Sequence, residues 1–312
     1  MTTTSPSTGG ETAVPRRSRA ASLALVGAVY VVALAAAILW LTLGPDTGHL
    51  WLDGLLADVL ATLVVFAASR ALHNSSCYDP FWSVLPPFLA VTWFLAADDV
   101  TGRDTGRSVL LLVVVAVWAV RLTGNWVHDW PGLHHEDFRY PELRAQAGRA
   151  ELLADLFGIH LVPTAIVFLG LVPAYAVLAR PGDPVGWLDA VAVVVGVVAA
   201  LLQLVADAQM RAFIRTRQPG QAMDRGLWAW SRHPNYFGEI AFWCSLALFG
   251  IAGAPQDWWW LVVGVVAMVA MFEGASIPMM ERRSLERRPG YQDVIDRVPR
   301  LVPRPPRRRR VA

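Results

Sequence analysis

The sequence predicts an all-α fold, a polytopic integral membrane bundle of about seven or eight transmembrane helices. Hydrophobic residues make up 55% of the 312 residues, charged residues only 17%, and the mean hydropathy is +0.41. A soluble domain has about 25% charged residues. Here the uncharged residues form long runs such as Val109–Val120 and Val191–Leu202. This composition excludes an ordinary cytosolic domain, and two cysteines are too few for a secreted disulfide scaffold.

Eight apolar stretches approach the length that a membrane requires, which is about 20 residues of helix for a core of about 30 Å. The third and the seventh are short, so seven spans remain an alternative. The first follows Arg16, Arg17 and Arg19, but it is too long for a signal peptide and predicts an anchor. The eight stretches are Leu23–Leu43, Leu52–Leu72, Phe81–Ala97, Val109–Val127, Leu156–Leu178, Val185–Ala208, Tyr236–Ile251 and Trp258–Met280.

The basic residues predict the orientation of these spans. All 27 are arginines, and eight spans alternating from a cytoplasmic N-terminus put 24 of them on the cytoplasmic side. Only Arg103, Arg107 and Arg180 then lie outside. This asymmetry predicts that both termini are cytoplasmic. The predicted organisation is a disordered cytoplasmic segment over residues 1–22, a single membrane domain over 23–302, and an Arg-rich cytoplasmic tail over 303–312.

The segment from Ser231 to Glu239, Ser-Arg-His-Pro-Asn-Tyr-Phe-Gly-Glu, carries the most specific pattern. Pro is typical of the first position of a helix, which predicts a helix that begins at Pro234. The free N–H groups of that helix end, together with Arg232, suit a phosphate. Asn235 and Glu239 are four residues apart and share one face. An interfacial Arg–Glu pair is the structural alternative.

Two further segments on the predicted cytoplasmic side are rich in polar residues. Glu281–Tyr291 predicts a charged helix broken at Pro289-Gly290, which either lies on lipid headgroups or supplies more nucleotide ligands. Arg121–Tyr140 holds Asn125 and the run His-His-Glu-Asp-Phe-Arg-Tyr, and either binds a cofactor or is a solvated loop. Its adjacent histidines lack the spacing of a metal site, so we expect no metal.

The common nucleotide-binding signatures are absent from the sequence. It contains no Gly-x-Gly-x-x-Gly after a strand and no P-loop,. A nucleotide cofactor would therefore bind a site built from helix ends and loops.

The Ser231–Glu239 segment resembles the nucleotide-binding signature of the steroid 5-alpha-reductase-like and sterol reductase membrane family. Ile277-Pro-Met-Met-Glu281, Pro289-Gly-Tyr291 and Val298-Pro299 follow in the same order as in that family. The upstream motifs, Tyr78-Asp-Pro-Phe-Trp82 and Glu136-Asp-Phe-Arg-Tyr140 among them, are similar to its bacterial branch. The resemblance extends from about residue 78 to residue 303.

This resemblance implies an NADPH-dependent reductase of carbon–carbon double bonds, in a bacterial inner membrane. Its substrate would be a lipophilic molecule taken from the bilayer, which leaves membrane lipids and no nucleic acid as expected partners. Carried over to this sequence, the cofactor ligands are Asp207, Gln209, Arg232, His233, Asn235, Tyr236, Glu239, Glu281, Arg282 and Tyr291. If the Arg121–Tyr140 segment is a cofactor loop, it adds Arg121, Asn125, Asp137, Arg139 and Tyr140 as candidates.

Tyr78 and Asp79 are the candidate catalytic residues, because they enter the third span on the cofactor side and can supply a proton. The alternative is that Asp79-Pro80 only caps that helix. Steroid reductases hold the substrate ketone with a membrane Glu on an early helix, whereas the second span here offers only Asp53 and Asp58, both expected near its outer end. The alternative function is an S-adenosylmethionine-dependent methyltransferase, similar to isoprenylcysteine carboxyl methyltransferase, which shares Arg-His-Pro-x-Tyr.

Overall fold

The computed structural model describes residues 17–305, and every regular element in that range is helical, as predicted. Residues 1–16 of the predicted disordered N-terminus and residues 306–312 of the Arg-rich tail lie outside the described residues, whereas residues 19–22, which were predicted to be disordered, belong to the first helix. Eight long helical segments follow one another, with a short ninth: α1 Arg19–Leu43, α2 Leu50–Leu72, α3 Phe81–Ala96, α4 Thr105–Asp129, α5 Arg139–Ala179, α6 Trp187–Thr216, α7 Pro234–Gly253, α8 Pro255–Arg287 and α9 Tyr291–Arg297.

Seven of these helices in the described range are long and apolar enough to cross a membrane, and α3 is the exception with 16 residues. Its two ends nevertheless contact different levels of the bundle. Tyr78, just before α3, bonds to Thr164 near the start of the apolar part of α5, whereas Trp93 near its other end packs against Tyr175. The helix therefore runs parallel to this part of α5 and connects the two levels of the bundle.

The connections gather at two ends of the bundle. At the first, which we call the Arg-poor end, the backbone N–H of Gly182 bonds to Gly102 and that of Asp183 to Gly253. At the second, the Arg-rich end, the Arg19 guanidinium bonds to the carbonyl of Trp130, and the Arg304 N–H bonds to that of Trp230. The described chain therefore begins and ends at the same end of the bundle.

Small residues allow the membrane helices to approach closely. A Cβ on Gly238 of α7 would lie 2.5 Å from Cγ of Gln203 on α6, and one on Gly264 of α8 would lie 2.3 Å from the carbonyl oxygen of Leu169. Close backbone contact through glycine is typical of helix packing in membranes. At Gly238 it brings α7 against the polar face of α6.

Two helices contain short π-helical turns, Ala154–Leu161 in α5 and Phe272–Ser276 in α8. Both lie toward the Arg-rich end. Such turns rotate the side chains that follow them and occur frequently at functional sites. The first buries Asp155, which accepts hydrogen bonds from Arg70 at 2.9 Å and from Ser75 at 2.8 Å.

The expectation that Asp58 lies near the outer end of the second span is wrong. Asp53 does occupy the first turn of α2, but Asp58 is more than two turns inside and is only 4% exposed. Thr62 lies one turn further along, and its hydroxyl is 3.5 Å from the carboxyl of Asp58 and 3.0 Å from the hydroxyl of Thr164. Asp58 therefore faces the neighbouring helices and not the lipid.

Candidate functional site

Polar side chains at four-residue spacing join α4 to α6 near the Arg-rich end. Arg121 donates to the Gln203 side-chain oxygen and pairs with Asp207 at 3.4 Å. One turn nearer the end, Arg211 donates to Asn125 and pairs with Asp129 at 3.1 Å. Residues four apart lie on one helix face, so each helix presents one polar stripe. We call this set the polar seam, formed by Arg121, Asn125 and Asp129 of α4, and Gln203, Asp207 and Arg211 of α6.

Helix α7 completes the polar seam with Asn235 and Glu239, which share a face as predicted. The Asn235 side chain lies near the Asp207 carboxylate. Glu239 is 4% exposed, lies 3.5 Å from Arg121, and accepts hydrogen bonds of 3.0 Å from the indoles of Trp118 and Trp243. Helix α7 begins at Pro234, also as predicted, and His233 occupies the cap position.

The polar seam is incomplete in its hydrogen bonding. Among the described residues, Nε of Arg121 and Nε2 of Gln203 are buried donors without a partner. The indole N–H groups of Trp126 and Trp130 are likewise buried and unpaired. A buried donor left unpaired costs about 1–3 kcal/mol. Elsewhere in residues 17–305 the indoles of Trp40 and Trp93 and the hydroxyl of Ser245 are also buried and unpaired. The four donors gathered at the Arg-rich end make it a candidate place for the acceptor atoms of a ligand.

A cavity of about 280 Å³ opens beside Trp126 and Trp130, whereas Arg121 and Gln203 do not line it. It lies between the polar seam and the loops that precede α3 and α5. Its lining combines carboxylates, an amide and stacked indoles, since the rings of Trp126 and Trp130 lie 4.5 Å apart and nearly parallel. The residues lining it are Ser76, Asp79, Leu122, Asn125, Trp126, Asp129, Trp130, Pro131, His135 and Asp137.

Asp79 connects this cavity to the start of α5. Its carboxylate accepts a hydrogen bond from the Tyr140 hydroxyl. Burial raises the pKa of Asp79 to about 6, although the charge of Arg139 opposes that shift. Arg139 in turn pairs with Asp137 at 2.8 Å, and despite burial its charge lowers the pKa of Asp137.

The capping alternative for Asp79 is not what the structure has. Helix α3 begins at Phe81 with Pro80 in the cap position, and no side chain bonds to its first turn. The carboxyl of Asp79 is directed instead to Tyr140. Asp79 is therefore free of a capping role and available to the cavity.

Tyr78 and Asp79 are adjacent in sequence but have different partners. The Tyr78 ring is 3% exposed, and its hydroxyl lies 2.6 Å from that of Thr164. The ring of His160 lies 4.9 Å away. The two candidate catalytic groups therefore belong to separate polar clusters, one inside the bundle and one at the cavity.

The predicted anion site at Arg232 is filled by the chain itself. Arg232 bonds to Glu281 at 2.6 Å and to the carbonyls of Ile295 and Val298 at 2.9 and 2.6 Å. The His233 ring lies 3.3 Å from the same Glu281 carboxylate. In this arrangement Arg232 secures the C-terminal segment against the start of α7, and its role toward a nucleotide stays a prediction.

The other predicted cofactor ligands have different surroundings. Tyr236 stacks on Phe272 at 4.5 Å. Tyr291 is buried, which raises its pKa to about 12. Gln209 faces away from Asp207 and bonds at 2.9 Å to the N–H of Leu227, next to the Gly226 turn. Arg282 is exposed at the end of α8.

Several residues of the site were not among the sequence-predicted ligands. These are Gln203 and Arg211 on α6, together with Asp129 and the two indoles of Trp126 and Trp130. The first three repeat at four-residue intervals with Asp207 and Asn125, and that periodicity is the signal that could have identified them. Nothing in the sequence separated the two indoles from other interfacial tryptophans.

Comparison with known proteins places the chain in a family. Residues 65–298 match the family model described as "Protein of unknown function (DUF1295)". An uncharacterized protein of Schizosaccharomyces pombe (strain 972) is 26% identical over 276 residues, which cover 80% of this chain and 79% of the relative. No solved structure matches the chain. Since the family model spans the polar seam, the cavity and most of the bundle, the chain belongs to the DUF1295 family.

Proposed function

We propose that this protein uses NADPH to reduce an activated carbon–carbon double bond in a lipophilic substrate. The observation that carries the proposal is the 280 Å³ cavity at the Arg-rich end, which is lined by Trp126 and Trp130 with unpaired indole N–H groups and lies beside the polar seam with its unpaired Arg121 and Gln203 donors. The resemblance of the Ser231–Glu239 segment to the steroid 5-alpha-reductase-like family supports the same conclusion. That segment forms the start of α7, which contributes Asn235 and Glu239 to the polar seam.

The side chains at this end fit a dinucleotide. Unpaired N–H groups of Arg121, Gln203 and the two indoles require acceptors, which the phosphate, ribose and carboxamide oxygens would supply. The carboxylates of Asp129 and Asp137 can accept from ribose hydroxyls. A cavity of this volume is near the lower limit of small-molecule sites and would hold one end of a dinucleotide.

NADPH, when bound, supplies a hydride to the double bond. Negative charge then develops on the oxygen conjugated to that bond, and a donor must meet it. Asp79 and Tyr140 form the donor pair. Asp79 lines the cavity, and its carboxyl group is hydrogen-bonded to the Tyr140 hydroxyl. The raised pKa of Asp79 lets its carboxyl hold a proton at mildly acidic pH and pass it to the reduced substrate,.

Cofactor binding tests the proposal most directly. Titrating the purified protein in detergent with NADPH, NADH and S-adenosylmethionine by calorimetry should give binding of NADPH, more tightly than NADH, because arginines beyond those needed for a diphosphate can hold the 2′-phosphate. Binding of S-adenosylmethionine without NADPH would instead support the methyltransferase. Lipid profiling of cells with and without the gene should then reveal a pair of lipids that differ by two hydrogens.

The donor pair is tested once that lipid is known. Tyr140→Phe and Asp79→Asn should each lower turnover by about 10²-fold while NADPH still binds. Tyr78→Phe is the matched control, since it removes the same phenol oxygen from a ring whose partner is Thr164. If Tyr78→Phe loses turnover and the other two do not, the proton comes from inside the bundle and the assignment to the cavity is wrong.

A further inference from the structure

A second and larger cavity lies at the Arg-poor end of the bundle, with a volume of about 420 Å³. It is bounded by α2, α3, α5 and α8, and its walls are almost entirely apolar and aromatic. Trp93 forms one wall, and the rings of Phe168 and Tyr175 meet it edge-on at 5.9 and 5.4 Å. The other lining residues are His49, Trp51, Val172, Arg180 and Trp260.

This cavity is separate from the candidate reductase site. Trp93 lies 14 residues beyond Asp79 along α3, and a helix rises 1.5 Å per residue, so about 20 Å separates the two levels. The buried Asp58, Thr62 and Thr164 side chains lie between them. A ligand in the Arg-poor cavity is therefore too far from the other site to receive its hydride.

The level of the cavity in the membrane is marked by exposed tryptophans. Trp51, Trp187, Trp258 and Trp259 are between 43% and 78% exposed, and all lie within a few residues of the loops at the Arg-poor end. Tryptophan is enriched where hydrocarbon meets headgroups. The mouth of the cavity therefore lies at that boundary, with its apolar walls in the hydrocarbon.

One positive charge is available at this mouth. Arg107 is buried and paired with Asp189, and the Arg103 side chain is only 5% exposed and donates to the carbonyls of Phe94 and Leu178. The Arg180 side chain is 45% exposed and lines the cavity. One of its amino groups pairs with Asp257 at 3.1 Å, which leaves its other donors for an incoming anion,.

We propose that the Arg-poor cavity binds a membrane phospholipid, with one acyl chain between the aromatic walls and its phosphate at Arg180. The apolar lining fits the chain, and the single exposed guanidinium at the rim fits the anionic headgroup. The site is distinct from the proposed reductase site and does not depend on it, since the lipid binds as a ligand and is not chemically changed.

The test uses the full-length protein in nanodiscs that contain a phosphatidylglycerol carrying a diazirine in the middle of one acyl chain. After irradiation, labelled peptides are mapped by mass spectrometry. Labelling should concentrate on Phe168–Tyr175 and around Trp260, at several times the level on Val191–Val198, an exposed face of α6. Equal labelling of both regions would show that the cavity holds no particular lipid and would overturn the proposal.

Two variants make the test specific. Val172→Phe fills the cavity and should lower labelling there by at least about fivefold, whereas Val194→Phe, the same change on the exposed face of α6, should not. If Val172→Phe does not fold, Val172→Leu provides a milder filling of the same space. Arg180→Gln should remove the preference for phosphatidylglycerol over the matched phosphatidylcholine probe. An unchanged preference, or none in the parent, would overturn the headgroup assignment.

Discussion

The two ends of the bundle differ in how completely a buried arginine is hydrogen-bonded. At the Arg-poor end, Arg107 makes five hydrogen bonds, two of them to Asp189 at 2.6 and 2.9 Å. Three go to the carbonyls of residues 183, 184 and 252. At the Arg-rich end, Arg121 has three acidic or amide partners, yet its Nε has none.

The difference separates a structural ion pair from a binding site. A buried charge is tolerated when it is paired and hydrogen-bonded. Each guanidinium nitrogen of Arg107 has a partner within the chain, and its bonds tie α4 to the loop before α6, to the first turn of α6 and to the end of α7. Arg121 does not meet this condition because its Nε is unpaired, and Nε2 of the adjacent Gln203 is unpaired as well. The comparison indicates that the chain itself satisfies Arg107, whereas Arg121 keeps a donor that a ligand could use.

The largest effect should follow from removing Arg107. Arg107→Gln leaves Asp189 buried and unpaired, which costs about 3–5 kcal/mol of stability. The melting temperature of the solubilised protein should therefore fall strongly. Arg180→Gln is the control, since exposed ion pairs contribute at most about 1 kcal/mol. If Arg107→Gln melts like the parent, the ion pair does not hold the loops and the contrast between the ends fails.

The sequence identified the helices better than the side-chain network. Long apolar runs determine spans, so the eight stretches appear as α1–α8, and Pro234 marks the start of α7 as expected. The network depends on which residues of separate helices face one another. That is why Arg232 turned out to contact Glu281 and Val298, and why Asp58 turned out to be deep in α2.

A smaller and more specific effect is expected at Gln203. Gln203→Met keeps the side-chain length but removes the unpaired amide and the acceptor for Arg121. The free protein should lose at most about 1.5 kcal/mol, whereas NADPH binding should weaken by about tenfold, equivalent to about 1.4 kcal/mol. The measurements are a melt and a calorimetric titration on the same sample. A loss of stability as large as that of Arg107→Gln, with unchanged binding, would make the polar seam a structural element.

The pH dependence of stability should reveal the Asp79 carboxyl. Its folded pKa of about 6 lies above its usual value near 4, so its protonated form is favoured in the fold and stability falls as pH rises through 6,. Asp79→Asn mimics the protonated state at every pH. Between pH 5 and pH 7.5 the free energy of unfolding of the variant should therefore rise relative to that of the parent. The expected difference is on the order of 1 kcal/mol, because the carboxyl is only partly buried. A constant difference would contradict the raised pKa.

The smallest perturbation tests which end faces the cytoplasm. Single cysteines placed in Pro181–Asp183 and in Gln218–Ala222 lie at the Arg-poor and the Arg-rich end. In intact cells, a membrane-impermeant maleimide should label the first and not the second, because arginine-rich loops remain cytoplasmic. Labelling of the second position alone would reverse the orientation and with it the side from which NADPH would bind.

The contacts of Arg232 also have a consequence for biosynthesis. Its partners Glu281 and Val298 lie 49 and 66 residues further along the chain. At a translation rate of about 5–20 residues per second, Val298 is made roughly 3–13 s after Arg232. Glu281, the carboxylate that neutralises this guanidinium, is made about 2–10 s after Arg232, whereas Asp189 has been made before Arg232 and is already available to Arg107. The Arg-poor end can therefore assemble while the nascent chain is still growing, and the Arg-rich end is the last part of the protein to mature.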